Sequence, residues 1–142
     1  SQALFLVPQA SDLPRVLAEQ IEHQFMVPQV ALRLWGVAQA HQGQPFAQGV
    51  SEDVKLFAES LGQPYCGINN GFEAAQWLAN PDAAQSLALV TLREPQTGDA
   101  PAKAMGLLVL ASPDSQRYHA GMGTEFLDSL SALASAALQR LR

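Results

Sequence analysis

Apolar residues that recur every three to four positions predict helices in several parts of this chain. The first is expected over residues 12–24, where apolar side chains repeat every four positions. The second is expected over residues 52–61 and follows Ser51, a residue type that caps helix N-termini. A shorter helix is expected over residues 72–79.

The last predicted helix, over residues 125–141, carries a broad apolar stripe. This stripe is wider than the narrow seam of a coiled coil. We therefore expect the helix to pack on a sheet and still to offer Leu138 and Leu141, at its end, to a partner. Its apolar positions are Phe126, Leu127, Leu130, Leu133, Ala134, Ala137, Leu138 and Leu141.

Four segments have the character of strands: residues 30–37, 64–68, 86–92 and 104–111. The last two are apolar at consecutive positions, which is typical of strands covered on both faces. A loop with proline and glycine joins them, and this indicates a hairpin. Because few of the strands are linked by crossover helices, the pattern favours an antiparallel α+β sheet over a doubly wound parallel one. The side chains expected to be fully buried are Leu34, Leu89, Leu107, Val109 and Leu130.

Composition narrows the class of protein. The chain has 142 residues, which fits one domain, and 48% of them are hydrophobic, which is enough for a core. Only 15% are charged, so we expect a partner to cover part of the surface. The net charge of −5 argues against nucleic acid and anionic membranes as partners. The longest apolar run is too short to cross a bilayer, and the single cysteine, Cys66, suits a reducing compartment, so a cytoplasmic protein is expected.

Three segments of the chain carry a family resemblance: VPQVALRLW at residues 27–35, PYCG at residues 64–67, and GLLVLASPD at residues 106–114, followed by RYH and GMGTEFL. They resemble the bacterial GAF-like family of unknown function that is often encoded next to a Xer-type tyrosine recombinase. The resemblance implies a GAF fold, in which a six-stranded antiparallel sheet has terminal helices on one face and a pocket on the other. It also implies that residues 1–142 are a single domain, with residues 1–8 the tail of a truncated upstream helical segment.

GAF relatives bind cyclic nucleotides, bilins, haem or small metabolites, or only dimerise, and a fold does not choose among these roles. This chain lacks the Asn-Lys…Phe…Asp-Glu signature of the cyclic-nucleotide binders. Cys66 is followed by Gly67 rather than by the histidine that is common at bilin attachment sites. The GAF-fold methionine sulfoxide reductases use several cysteines, and this chain has one. The resemblance therefore leaves the cofactor unknown.

Arg33 and Trp35 share one face of the first strand, and the other face is aliphatic. In the layout that the resemblance implies, this face could look into the pocket, where a buried arginine needs a carboxylate or an anionic ligand. The alternative is an edge position, with Arg33 solvated and Trp35 packed under a helix. We expect Arg33, Trp35 and Tyr65 to face a common cavity that suits an anionic or aromatic small molecule. Further candidates for this site are Cys66, Asn69, Phe72, Trp77 and Thr91, of which Asn69 is equally well explained as a turn residue.

Patterns for catalysis or metal binding are not evident in the sequence. A lone cysteine in a strand, such as Cys66, is usually a small buried hydrophobic residue rather than an activated nucleophile. His23, His41 and His119 lack the spacing of metal ligands. The Gly-Met-Gly at residues 121–123 could offer amides to an anion, or it is a plain loop before the last helix.

These features predict a non-enzymatic GAF-like module that senses or binds a small molecule in signalling and forms a homodimer through its terminal helices. The expected contacts are the apolar residues 4–7 and the end of the last helix. One alternative is a protein-interaction domain that has no ligand. Another is a redox enzyme that depends on Cys66.

Overall fold

The structure is a computed structural model that describes residues 12–35, 37–94, 98–99, 102–122, 125–138 and 141. The helices among them are α1 (Leu13–Phe25), α2 (Glu52–Ser60) and α3 (Glu125–Leu138). The strands are β1 (Gln29–Leu34), β2 (Tyr65–Ile68), β3 (Ser86–Arg93) and β4 (Ala104–Ser112). Short 3-10 helices occupy Gln39–His41, Pro45–Ala47, Glu73–Trp77 and Pro81–Ala83. Residues 1–8, interpreted above as the tail of an upstream segment, lie outside the described residues.

The four described strands form one antiparallel sheet in the order β1-β4-β3-β2. The β3–β4 hairpin lies at its centre, where Leu89 pairs with Val109. The edge strand β2 pairs with β3 only from Ser86 to Leu89. The prediction of an α+β protein with an antiparallel sheet is confirmed.

The described sheet has four strands, two fewer than the family resemblance implies. The segment between β1 and α2 forms the 3-10 helices Gln39–His41 and Pro45–Ala47 instead of further strands. It is rich in glycine and glutamine, it contains Pro45, and it lacks the alternating apolar residues that a half-buried strand requires. Four strands are also the number that hydrophobic patterning alone predicts.

Helices cover both faces of the sheet, and alternate residues of each strand point to opposite layers. On one face, the terminal-helix face, Leu108 and Leu110 of β4 pack with α1 and α3. On the other, the α2 face, Leu107 and Val109 pack with α2 and the 3-10 helix Glu73–Trp77. The predicted core residues are buried: Leu34, Leu89, Leu107 and Val109 are 0% exposed and Leu130 is 4% exposed.

Local signals explain where the helices begin and end. The hydroxyl of Ser51 accepts a hydrogen bond of 3.1 Å from the amide of Val54, and this bond caps α2 as predicted. Pro14 lies in the first turn of α1, where its missing N–H costs no helical hydrogen bond. α1 ends at Met26, whose φ of 53° places it in the left-handed region.

α3 differs from its prediction in which apolar residues face inward. Leu138 and Leu141 are 0% exposed and belong to the core of the terminal-helix face, so the prediction that they contact a partner is wrong. Phe126 and Leu133 lie on the outer side of the helix instead, with 41% and 42% exposure. The stripe is too wide to be buried on one side, and these two residues, seven positions apart, fall on its open edge.

Candidate functional site

Arg33 lies near the end of the edge strand β1, and its side chain is half-buried. Its cross-strand partner is Leu107, so Arg33 belongs to the α2 face. Its guanidinium carbon lies 5.5 Å from the ring centroid of Trp77, at the end of the 3-10 helix Glu73–Trp77. A guanidinium at this distance from an indole face makes a cation–π interaction. The fold thus brings two of the sequence-predicted site residues together.

The guanidinium of Arg33 is only partly used in hydrogen bonds with the described residues. Nη1 donates to the carbonyl oxygen of Leu32 at 3.0 Å. Nε is buried and has no hydrogen-bond partner among the described residues. Burial also lowers the pKa of Arg33 from its ordinary value, because water no longer solvates the charge fully. A buried donor without a partner is rare in folded proteins and requires an explanation.

A groove of about 310 Å³, the Arg33 groove, opens beside this side chain at the outer edge of β1. α1 contributes Arg15 to its wall, and Phe46 and Trp77 contribute apolar surface. Arg15 is exposed and pairs with Glu19, one turn along the helix, at 3.2 Å. None of the described residues that line the groove carries a carboxylate. The groove therefore combines two guanidinium groups with apolar walls.

Trp35 follows β1 directly and packs at the margin of the α2 face. Its Nε1 donates to the carbonyl oxygen of Ala104 at 2.9 Å, and this bond holds the indole against β4. Trp35 lines a different cavity of about 310 Å³, together with Gln42 and Lys55. Arg33 and Trp35 therefore lie on one face of the sheet but in separate described cavities.

Tyr65 and Phe72 belong to an aromatic cluster elsewhere on the α2 face. Their ring centroids are 5.0 Å apart in an edge-to-face arrangement, and Phe72 lies 5.8 Å from Phe57 of α2. The hydroxyl of Tyr65 donates to the carbonyl oxygen of Ile68 at 3.1 Å. The cleft beside Phe57 and Phe72 measures about 130 Å³, below the usual size of a ligand pocket. Aromatic packing accounts for these residues.

Asn69 and Thr91 use their polar groups within the fold. The side chain of Asn69 donates to the carbonyl oxygen of Ala84 and accepts from the amide of Gly71, both at 3.1 Å. This pattern supports the interpretation of Asn69 as a turn residue. The hydroxyl of Thr91 donates to the carbonyl oxygen of Ala58 in α2 at 2.8 Å.

Cys66 lies on the terminal-helix face, opposite the face that carries Arg33. It is buried, and burial raises the pKa of its thiol above the ordinary value. A raised pKa leaves little of the reactive thiolate at neutral pH. In the described part of the chain, no three His, Cys, Asp or Glu side chains come close enough to hold a metal ion, and no helix is long and apolar enough to span a membrane.

Sequence patterns did not single out Arg15 and Phe46, although both line the Arg33 groove. Arg15 precedes Glu19 by four positions, which is the ordinary spacing of a surface ion pair on a helix. Phe46 lies in a glycine-containing segment that predicts only a loop. No local signal therefore connected either residue with Arg33.

A second surface of interest is the exposed side of α3. Phe126, Ser129, Leu133 and Ala136 are exposed at helical spacing and form the outer stripe of this helix. The ring of Phe126 packs edge-on against Phe25 of α1, with centroids 4.9 Å apart. From Ser129 to its end, α3 contains no charged residue. The outer stripe is therefore an uncharged, partly apolar surface that continues onto the end of α1.

Comparison with known proteins adds a family but no activity. A search among curated proteins found no match. A family model described as "Protein of unknown function, DUF484" matches residues 5–142, which is almost the whole length of the chain. By this match the chain belongs to the DUF484 family of proteins of unknown function.

Proposed function

We propose that this chain is a non-enzymatic, GAF-like binding and dimerisation module. The outer stripe of α3 suits a second copy of the chain, and the Arg33 groove suits a small molecule. The observation that carries the dimer is the exposure of Phe126 and Leu133 on an uncharged side of one helix. Large apolar side chains that are exposed together mark interaction surfaces.

The distribution of charge on α3 favours a second copy of the chain as the partner. The outer stripe can meet itself without bringing like charges together, because Ser129, Leu133 and Ala136 are uncharged. A two-fold axis perpendicular to α3 would set the two α3 helices antiparallel. The acidic residues of α3, Glu125 and Asp128, lie in its first turn. In this arrangement the first turns of the two copies lie at opposite ends of the contact, so these like charges stay apart.

Sedimentation equilibrium tests the dimer. Replacing Phe126 and Leu133 together by glutamate would place like charges within the contact, so this double variant is expected to be monomeric at concentrations where the wild type is a dimer. Leu56→Glu is the matched control, because Leu56 is 69% exposed on α2, across the sheet. It is expected to keep the mass of the wild type. A monomeric wild type, or dissociation by Leu56→Glu as well, contradicts the outer stripe as the contact.

The binding half of the proposal is supported by the Arg33 groove. Its volume of about 310 Å³ falls at the lower end of the range of small-molecule sites. Native mass spectrometry of the protein purified from its own host reports the oligomer and any retained molecule together. A retained small molecule is the expected result. A dimer with nothing bound favours the alternative, a protein-interaction domain that has no ligand.

The redox alternative has less support, because the thiol of Cys66 is buried among the apolar residues of the terminal-helix face. A thiol reagent applied to the folded protein tests it. Slow labelling is expected under native conditions, and full labelling only after unfolding. Rapid stoichiometric labelling at neutral pH would favour a redox function instead.

A further inference from the structure

We infer that the Arg33 groove binds a small molecule through a compact anionic group, a carboxylate or a phosphate. The inference rests on the proposed binding function and names the chemistry of the ligand. In it Arg33 contacts the anion directly, and Trp77 is a positioning residue that holds the guanidinium.

The Nε–Nη2 edge of the Arg33 guanidinium has the shape that such an anion requires. Nε and Nη2 of an arginine point their hydrogens in parallel from one edge, and this fork matches two oxygens of a carboxylate or phosphate. The remaining nitrogen, Nη1, already donates to the carbonyl oxygen of Leu32. On the fork edge, Nε is buried and finds no partner among the described residues. An anion bound side-on would satisfy this donor once the atoms that cover Nε move aside.

The fork is held in place before a ligand arrives. The bond from Nη1 to Leu32 fixes one end of the guanidinium, and its central carbon lies over the ring of Trp77, 5.5 Å from the centroid. Little side-chain freedom is therefore left to lose on binding, and a pre-organised group binds more tightly than a mobile one.

The edge of β1 supplies a further donor. The amide of Trp35 donates to the carbonyl oxygen of Met105, and Arg33 is in register with Leu107, so odd-numbered residues of β1 direct their backbone groups toward β4. Even-numbered residues direct theirs to the outer edge, and the contact of Arg33 with the carbonyl oxygen of Leu32 agrees. The amide of Leu32 therefore points to the same edge as the groove.

Arg15 adds a second positive charge to the lining of the groove. Its ion pairs with Glu19, at 3.2 Å, and Asp12, at 3.9 Å, are exposed to solvent. Exposed pairs of this kind are weak. Arg15 can therefore exchange them for a bound anion.

A titration followed by nuclear magnetic resonance tests the inference on the isotope-labelled chain. Phenyl phosphate and benzoate carry the two anionic groups, and benzamide is a neutral probe of similar shape. The Nε–Hε resonance of Arg33, identified by its absence from Arg33→Gln, is expected to shift saturably with an anionic probe and not with benzamide. Arg33→Gln is expected to weaken binding about 10- to 100-fold, because a charge-assisted hydrogen bond is lost. The affinities of the two anionic probes distinguish phosphate from carboxylate recognition.

Arg117→Gln is the matched control. The guanidinium of Arg117 also lies over an aromatic ring, 5.4 Å from the centroid of Tyr118, but this residue is exposed and does not line the Arg33 groove. The control is expected to bind the probes as the wild type does. Arg33→Lys keeps the positive charge but loses the paired donors of the guanidinium, so its affinity is expected to lie between those of the wild type and Arg33→Gln. If Arg33→Gln does not fold, Arg33→Lys is compared with the wild type in its place.

Three results overturn the inference. The first is that neither anionic probe shifts the Nε–Hε resonance of Arg33 saturably. The second is that Arg117→Gln weakens probe binding as much as Arg33→Gln does, and the third is that Arg33→Lys binds the anionic probes as tightly as the wild type. The proposed function fails separately. Suppose that the wild type and Arg33→Gln are both dimers and both retain a neutral molecule. This result would contradict the anionic ligand, but it would still support a binding and dimerisation module.

Discussion

The hydroxyl of Thr91 donates a hydrogen bond of 2.8 Å to the carbonyl oxygen of Ala58, and this bond joins the centre of the sheet to α2. Thr91 is buried, with 8% exposure. Thr91 also contributes to the wall of a cavity of about 290 Å³, beside Leu61 and Ser131, but its hydroxyl is used for packing between the layers. The same carbonyl oxygen also accepts from the amide of Leu61 at 3.2 Å, so Ala58 lies at a shared junction.

Thr91→Val is expected to lower the free energy of unfolding by about 1 kcal/mol, because one buried hydrogen bond is lost while Ala58 keeps the other. Denaturant unfolding measures the change. Ser60→Ala is the control, since the hydroxyl of Ser60 donates to the carbonyl oxygen of Phe57 at 2.7 Å on the exposed side of α2. It is expected to change stability by less than about 0.5 kcal/mol. If the two variants changed the free energy of unfolding equally, burial of the Thr91 hydrogen bond would add nothing to stability.

Leu107→Ala is expected to cost about 2–5 kcal/mol, because Leu107 is 0% exposed in the central strand and its removal leaves a cavity. The urea midpoint should fall while the slope of the transition stays constant. Leu56→Ala, at a side chain that is 69% exposed, should stay within about 0.5 kcal/mol of the wild type. An unchanged midpoint for Leu107→Ala would contradict its place in the core.

Hydrophobic patterning was sufficient to predict the layers of this fold. The consecutive apolar residues of β3 and β4 indicate burial on both faces, and the structure covers both with helices. The pattern was insufficient for α3, where a stripe of eight apolar residues did not reveal which of them face outward. Leu138 and Leu141 are buried and Phe126 and Leu133 are exposed, because one edge of the stripe packs into the core of the terminal-helix face and the other edge does not.

The candidate site was predictable only in part. Alternation along β1 placed Arg33 and Trp35 on one face, but it does not report which distant residue reaches either side chain. Trp77 lies in a 3-10 helix that follows α2 in the sequence, and it packs against Arg33. The indole of Trp35 does not reach this site and donates a hydrogen bond to the carbonyl oxygen of Ala104. Such contacts depend on the packing of loops whose path no local periodicity encodes.

Cys66 predicts a pH dependence of stability. Burial raises the pKa of its thiol, so the folded protein keeps the proton at a pH where the unfolded chain has lost it. The contribution of the thiol to stability is complete below the unfolded pKa of about 8.5 and is lost as the pH rises through the higher folded value. The stability difference between the wild type and Cys66→Ala, from urea midpoints, should therefore shrink from neutral to alkaline pH. A constant difference would contradict the raised pKa.

Met26 is expected to be a site of stabilisation. It ends α1 with a φ of 53°, and its amide donates to the carbonyl oxygen of Glu22. Residues with a β-carbon are strained in this left-handed conformation, so Met26→Gly should raise the free energy of unfolding by about 0.5–1 kcal/mol. Gln24→Gly, two positions earlier within the helix, should lower it by about 1 kcal/mol. Thermal unfolding compares the two, and the same sign for both would contradict the left-handed cap.

Arg33 and Arg93 are both half-buried arginines of the sheet, but replacing each by methionine should affect stability differently. Arg93 donates to the carboxylate and the carbonyl oxygen of Glu59 and to the carbonyl oxygens of Leu61 and Ala102. Its removal takes a donor from each of these acceptors, although the Glu59 carboxylate keeps its hydrogen bond from the amide of Ala104. Arg93→Met should therefore cost about 1.5–3 kcal/mol.

Arg33→Met loses one hydrogen bond and the cation–π contact with Trp77, together about 1–2 kcal/mol. It also removes a buried Nε that has no partner in the described structure, a penalty of about 1–3 kcal/mol in the absence of ligand. The flexible methionine side chain can still pack on the indole. We therefore expect Arg33→Met to match or exceed the wild type in thermal unfolding without ligand. A binding site can cost a protein some of its stability. A large loss of stability in this variant would show instead that Arg33 serves the fold.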